Sequence, residues 1–266
     1  MNLNTSDLTI TSIETITAFD INTGDFKFSL DELQTATIAQ GQDVVEITGK
    51  QGRRLNTLKR NKTVTISGTN GLLSTGLIEM QAGTPFEEGE STVRITEYLT
   101  VESNKATTKY KAVGTAGNEL KKVFVHNDNG TLGEAITQDA AAAEGKFAYD
   151  PETKEITFNE GEVADGTEIV VFYDRKINAS TQTNMSDVYS DKCTLYVDVL
   201  CEDICNNVYH AQFYIPKADF DGNFELAMGE DQTVHSFEAS ALAGTCGTAG
   251  IYWKLTVFGE DAEDVA

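Results

Sequence analysis

Cations are scarce in this chain: 20 lysines and arginines stand against 42 aspartates and glutamates among 266 residues, a formal net charge of −22. Such a surface repels a polyanion at contact range. It excludes a nucleic-acid binder that works by bulk charge, because such a binder needs cations to displace phosphate counterions. Proline is nearly absent, with three residues, so Pro-rich linkers are excluded; set beside 22 glycines, this points to long strands joined by glycine turns. Three histidines, at 126, 210 and 235, cannot build a His-x-x-x-His or His-Glu-x-x-His pair. There is no apolar run of about 18 residues, the length that a membrane-spanning helix requires. Met1 to Asp7 has neither the basic nor the apolar region of a signal peptide, so the expectation is synthesis in a cytosol without export by that route.

Cysteine is sparse and confined to the last third: Cys193, Cys201, Cys205 and Cys246. Cys201 and Cys205 with His210 lack the spacing of a zinc knuckle. Free, partly buried thiols are expected over a metal site or a disulfide, since cytosolic synthesis disfavours oxidation.

What is present is two-residue alternation. Leu8 to Phe19 alternates apolar and hydroxyl side chains, followed by Gly24 and Phe26-Lys27-Phe28. This is the pattern of half-buried strands. Val44–Thr48 and Thr63–Ser67 repeat it on either side of Gly49–Lys62, which reads as a hairpin with a long connecting loop. Leu73, Leu77 and Met80 fall on one helical face, with Gly83 and Pro85 as stop signals, so one short helix against a sheet is expected.

Residues 92–176 read as a distinct module. Strands are expected at Val93–Val101, Thr107–Val113, Leu120–Asn127, Lys146–Tyr149, Glu155–Phe158 and Glu168–Tyr173, with turn signals at Asn129-Gly130, Asp150-Pro151 and Asp165-Gly166. The Ala-rich stretch Asp139–Glu144 is expected to hold a helical turn. A polar, flexible linker is read at Asn178–Asp187. Strands resume at Lys192–Leu200, Val208–Ile215, Phe224–Met228, Thr233–Ala239 and Tyr252–Phe258. The organisation that follows is one discontinuous β domain, 1–91 with 177–266, and an inserted all-β domain or extension at 92–176.

Signals of catalysis are missing. There is no Gly-x-Ser-x-Gly elbow and no phosphate loop. Asp219-Phe220-Asp221-Gly222-Asn223 has its glycine at the fourth position where a calcium loop needs it at the sixth, so a hairpin turn is expected. Strand positions are expected for all three histidines. No catalytic, cofactor-binding or metal residue is expected, and the chain is read as a non-enzyme that needs no cofactor.

Charge is unevenly spread. Residues 177–266 hold 15 acidic residues and only three basic ones, whereas six of the seven bases in residues 1–91 cluster between positions 50 and 62. Lys50, Arg53, Arg54, Lys59, Arg60 and Lys62 are read either as a solvated loop tip or as a contact surface for another copy, whose acidic last third would complement them. Nucleic acid is a weaker third reading, because the interleaved aromatics of a base-stacking site are missing.

Phe19–Gly24 with Leu30–Leu33, then Thr48–Arg53, Leu58–Lys62 and Ser67–Gly71, resemble the tail tube (major tail) protein of long-tailed bacteriophages. Phe213–Ala218, Gly222–Leu226 and Trp253–Val257 resemble the C-terminal half of such proteins, and Gly145–Asp150 with Asp165–Thr167 resembles the β insert that some of them carry. The resemblance implies a mainly β fold, a β-sandwich or barrel of tail-tube type with one short helix plus an inserted all-β module. It implies six-membered rings that stack head to tail into a hollow tube for double-stranded DNA, with other tail proteins as partners. It further implies a place in the virion tail, assembly in the host cytoplasm, and a hairpin at Gly49–Lys62 that reaches the adjacent ring. The large insert and the Asn/Thr-rich linker depart from the pattern. In a tube, part of the acidic excess would line the channel and keep the duplex centred, over a range of about 8–10 Å at physiological salt. Asp198, Glu225 and Glu238 are the strand-borne candidates. Two rivals remain at this stage: an Ig-like decoration or adhesion module acting through residues 92–176, and a glycan-cleaving enzyme using paired carboxylates, for which no positive signal exists.

Overall fold

The computed structural model describes residues 7–127, 129–227, 234–243 and 250–259. Its contacts divide the chain into two compact units, Met1–Phe86 with Gln182–Ala266, and Glu87–Thr181.

The first unit is one curled sheet. It holds β1 (Leu8–Asp20), β2 (Phe26–Leu30), β3 (Leu33–Thr48) and β4 (Arg54–Asn70), then a helix, α1 (Thr75–Ala82). The second unit contributes β5 (Glu87–Thr100), β6 (Lys105–Thr107), β7 (Leu120–His126), β8 (Leu132–Gln138), β9 (Lys146–Asp150), β10 (Glu155–Phe158) and β11 (Glu168–Thr181). The chain returns to the first unit with β12 (Lys192–Asp203), β13 (Val208–Phe220), β14 (His235–Ala241) and β15 (Lys254–Phe258). The fold is mainly β with one α-helix among the described residues.

Strand order in the first sheet is β2-β1-β12-β13-β14-β4-β3, with β15 pairing β13 off that path. β1 and β3 come close across the curl. Alternation sends Ile16, Ala18, Leu195, Val197, Ile66 and Ile215 inward, where they are buried. The hydroxyls between them face the other way. Helix α1 closes the core with Leu77 and Met80, both buried. Ser74 caps it by accepting the Leu77 N–H at 3.3 Å, and Gly83 ends it in the left-handed region at φ 73°. Gly76 is needed for approach: a Cβ there would stand 2.7 Å from Phe28 Cβ.

The second sheet runs β5-β11-β7-β8-β9-β10-β6 around its own core, which includes Leu120, Phe147, Ile156, Ile169 and Tyr173, all buried. β5 and β11 pair without a break from Glu168↔Thr100 to Thr181↔Glu87. The boundary between units falls at 86/87 and 181/182, five residues outside the positions 91/92 and 176/177 read from the sequence.

Several expectations need correction. The long loop at Gly49–Lys62 is mostly strand: β3 and β4 continue to Thr48 and Arg54, leaving only a tight turn. The polar residues misled because both faces of that ribbon meet water. Asp139–Glu144 is not helical; Ala143 bridges Lys146 in a tight turn, and the preceding strand β8 was not foreseen. Asn178–Thr181, read as linker, belongs to β11. Only the first residue of the expected strand Thr107–Val113 is in β6. Phe224–Ala227 is loop with a single bridge at Leu226, and Met228 lies outside the described residues. Leu73 precedes α1 and is exposed. Cys193 and Cys201 are buried and Cys205 exposed, all as free thiols, and Cys246 lies outside the described residues.

Candidate functional site

Three features of the first unit are candidates for function: a projecting hairpin, a hydroxyl-rich sheet face and an open apolar seam.

The hairpin is made by the outer parts of β3 and β4. Its ladder runs from Asp43↔Arg60 to Thr48↔Arg54, and a bulge separates it from the body, where Gly41 pairs Thr63. Asn61 occupies the bulge with φ 52°, and its side-chain amide donates to Asp43 at 2.8 Å. A bulge of this kind re-aims the strands beyond it. The turn holds Gln51 and Gly52 at φ 65° and 72°.

All six basic candidates are exposed and lie on this arm or its root. Lys50 and Arg53 are in the turn. Arg54 and Lys59 share one face, where Arg54 forms an ion pair with Glu46. Arg60 is on the other face, opposite Asp43. Lys62 is at the bulge, its ammonium 5.7 Å from the centre of the Tyr252 ring. The structure thus brings the six together on one ribbon but divides them between its two faces and its tip.

The hydroxyl-rich face is the side of the sheet turned away from the core. Ladder alternation puts Thr15, Thr17, Thr194, Thr65, Ser67 and Ser240 there. Asp198 sits among them, half-buried, accepting from Gln212 at 2.8 Å and from Thr15 at 3.2 Å. Glu238 is on the same face and exposed. Glu225 is not strand-borne; it lies in the loop after β13, where its N–H donates to the Ser236 hydroxyl at 3.1 Å. On this side Lys192 is matched by Asp219 at 3.5 Å, and at the end of β1 Lys27 is matched by Asp20 at 3.4 Å. Asp20 also accepts the backbone N–H groups of Thr23 and Asn22, and these, with Lys27, hold its carboxyl down at about 2. Beside this loop an open depression of about 760 Å³ is lined by Phe19, Tyr196, Asp198, Gln212 and Tyr214. Sequence reasoning missed the aromatic row Phe26, Phe19, Tyr196, Tyr214, whose successive ring centres are 6.2, 5.6 and 5.0 Å apart. Only cross-strand register brings it together.

The seam lies where β1 and β3 approach. It is a cavity of about 400 Å³ lined by Ile10, Ile13, Ala36, Ile38, Phe213 and Trp253.

All three histidines are in strands. His126 and His210 face Glu168 and Glu14, at 2.6 and 3.4 Å. His235 is fully buried, its Nε2 2.8 Å from Gln81 Oε1. Among the described residues no group of three His, Cys, Asp or Glu side chains is placed to hold a metal ion. No described helix is long and apolar enough to cross a membrane.

A family model described as the YomU/Tube protein family matches residues 8–253. The chain belongs to the YomU/Tube family. The match runs from the first described strand, through the second unit, to Trp253 at the seam, so it embraces both units and the arm. Membership fits a tube-like structural protein of phage type, with other tail proteins as partners and the virion tail as its location. A search of curated proteins finds no match.

Proposed function

We propose that this chain is the self-assembling subunit of a phage tail tube: copies form six-membered rings, the rings stack head to tail, and double-stranded DNA passes through the hollow interior after assembly in the host cytoplasm. Membership of the YomU/Tube family over residues 8–253 carries the reading. The first sheet suits it, because β2 and β3 are edge strands. Edges left open invite pairing with other chains, and a closed ring of sheets removes them. In this reading the hydroxyl-rich face with Asp198 and Glu238 lines the channel and repels the duplex, and the arm with its six bases contacts a neighbouring copy. Six subunits per ring is carried over from the resemblance alone. No step of catalysis and no cofactor is part of the proposal.

Negative-stain microscopy of the purified chain tests it. Hollow rings or tubes are expected, and particles that stay monomeric at every concentration would overturn it. The second unit, with a core of its own, favours one rival, a decoration or adhesion module. That rival predicts a monomer or trimer in the same images.

A further inference from the structure

Asparagine followed by glycine is the dipeptide in which a chain most readily attacks its own side chain, because glycine puts no Cβ in the way of its backbone nitrogen. The chain has two such pairs, Asn70-Gly71 and Asn129-Gly130. The fold treats them in opposite ways. Asn70 ends β4 and is 3 % exposed. Its side-chain Nδ2 donates to the Leu72 carbonyl at 2.7 Å. The Gly71 N–H donates to the Glu32 carbonyl at 2.9 Å, which ties it to the residue before β3. Asn70 Oδ1 is buried and has no hydrogen-bond partner among the described residues. Nucleophile and leaving nitrogen are both held, and charge developing on that oxygen would be buried without compensation.

Asn129 stands in the turn between β7 and β8, where both it and Gly130 are exposed. Gly130 has φ 79° and open space where a Cβ would be. Its N–H donates to the Asn127 carbonyl at 2.8 Å, a bond within the exposed turn that water can replace. Asn129 Oδ1 accepts two hydrogen bonds from Thr131, one from the backbone N–H at 3.1 Å and one from the hydroxyl at 2.6 Å. Two donors on a carbonyl oxygen draw electrons from its carbon. They also stabilise the negative charge that the oxygen takes on when that carbon is attacked.

We propose that Asn129 is a site of spontaneous deamidation and that Asn70 is its protected counterpart. The Gly130 nitrogen gives up its proton to hydroxide and bonds to Asn129 Cγ. The Cγ–Nδ2 bond then breaks, and Nδ2 takes a proton from solvent and leaves as ammonia. The cyclic imide that remains takes up a water molecule. Opening at one carbonyl gives aspartate, and opening at the other gives isoaspartate, whose backbone is longer by a methylene; nothing is oxidised or reduced. Either product puts a new carboxylate in the turn. Aspartate keeps the two Thr131 donors, which hold a carboxylate more strongly than an amide. Isoaspartate lengthens the chain between Asn127 and Thr131, where the Asn127 N–H closes the hairpin on the Thr131 carbonyl at 2.9 Å. The second unit therefore gains negative charge with age, and the isoaspartate form loosens the β7–β8 end. This chemistry is independent of how copies of the chain associate.

The test holds the full, folded chain in warm, mildly alkaline buffer and follows it by peptide mapping with mass spectrometry, using an isoaspartyl methyltransferase to label the isomer. The tryptic fragment Val123–Lys146 is expected to gain the mass of an amide-to-acid exchange at Asn129, faster as the pH rises, while Asn70 stays an amide. Once the chain is unfolded in denaturant, both are expected to convert, which assigns the protection of Asn70 to the fold. Thr131→Val removes the hydroxyl donor and is expected to slow conversion of Asn129 roughly tenfold, less than the 10²–10³ that an enclosed oxyanion donor supplies. Thr131→Ser keeps the hydroxyl and is expected to keep the rate. Matching thermal melts establish that the variants fold. Asn129 still an amide in the folded chain when the unfolded chain has converted, or Asn70 converting in the folded chain as fast as Asn129, overturns the proposal. Conversion of Thr131→Val at the wild-type rate overturns the part given to Thr131.

Discussion

At the scale of single residues, two titratable groups limit stability on the acid side, one beginning near neutral pH and the other well below it. The Gln81 amide donates to the Ser236 carbonyl at 3.0 Å, which turns its oxygen toward His235. His235 must then be the donor at Nε2, and its Nδ1, which has no partner, carries no proton. Burial lowers its pKa from the ordinary 6.5. In the unfolded chain the imidazole takes up a proton first, so this group's contribution to stability is full above about pH 6.5 and is lost as the pH falls below it. Asp20 acts lower down. Its carboxyl is held at about 2 against an ordinary 3.8, so its contribution is present above 3.8 and fades as the pH falls toward 2. Melting temperatures measured in His235→Leu and Asp20→Ala should therefore lose slope in different places. The His235 variant flattens the curve below about pH 6.5, and the Asp20 variant flattens it between about pH 4 and 2. A wild-type curve that is flat from pH 7 to 5 would contradict the assignment for His235. The thiols work in the same direction as chemistry that is switched off: burial pushes Cys193 up to about 12 and raises Cys201, so neither is a reactive thiolate at neutral pH.

At the scale of elements, α1 decides between propensity and packing. Glycine inside a helix costs about 1 kcal/mol relative to alanine, so propensity alone predicts that Gly76→Ala stabilises. Here the new methyl would meet Phe28 Cβ at 2.7 Å and the Lys27 carbonyl oxygen at 3.0 Å, backbone and near-backbone atoms that cannot swing away. Moving the helix back would expose Leu77 and Met80, so overpacking prevails and a net loss of about 1–3 kcal/mol is expected in chemical unfolding. A gain in stability would show that α1 is free to shift on β2. The same helix was legible in the sequence from Leu77, Met80 and Gly83, because a period of 3.6 and a left-handed stop are local signals. So were β1, β7, β10 and β12, where one buried face leaves a clear alternation. The arm was not legible as strand. Both its faces are wet, and the pattern that marks a half-buried strand disappears when neither side is core. The aromatic row and the seam escaped for another reason: Phe19, Tyr196 and Tyr214, like Ile10, Ile38 and Trp253, come from distant parts of the chain, and only pairing register makes them neighbours.

At the scale of the whole molecule, the second unit is attached by a single pair of crossings. Glu87 and Thr181 are opposite one another in the ladder, so the two cut ends of the first unit emerge side by side. Gln182 is already tied back to the Thr84 carbonyl at 3.2 Å, and Thr84 donates to the Thr183 carbonyl at 2.9 Å. A two-residue Asn-Gly turn joining Phe86 to Gln182 should therefore close the first unit without strain, since paired strand ends are the geometry such turns span. Residues 87–181 carry a separate buried cluster and should fold alone as a monomer. The arm, the edge strands β2 and β3, the hydroxyl-rich face and the seam are all in the first unit. If the chain is a tube subunit, the closed first unit is expected to melt cooperatively and still form rings or tubes, while the isolated second unit forms neither. Assembly by the second unit alone, with none by the closed first unit, would move function to the insert and favour a decoration or adhesion role. The charge distribution bears on the same experiment. Removing 87–181 takes away ten of the chain's 20 bases and 18 of its 42 acids, so the remaining unit keeps a net charge of −14 and stays as acidic per residue as the whole. Like-charge repulsion then opposes its assembly at low ionic strength, where the screening length is about 30 Å at 0.01 M, and is relieved near 1 M, where it is about 3 Å. Tubes of the closed first unit should accordingly form more readily as salt rises, a trend that an apolar contact between copies permits and an arm held by ion pairs would reverse.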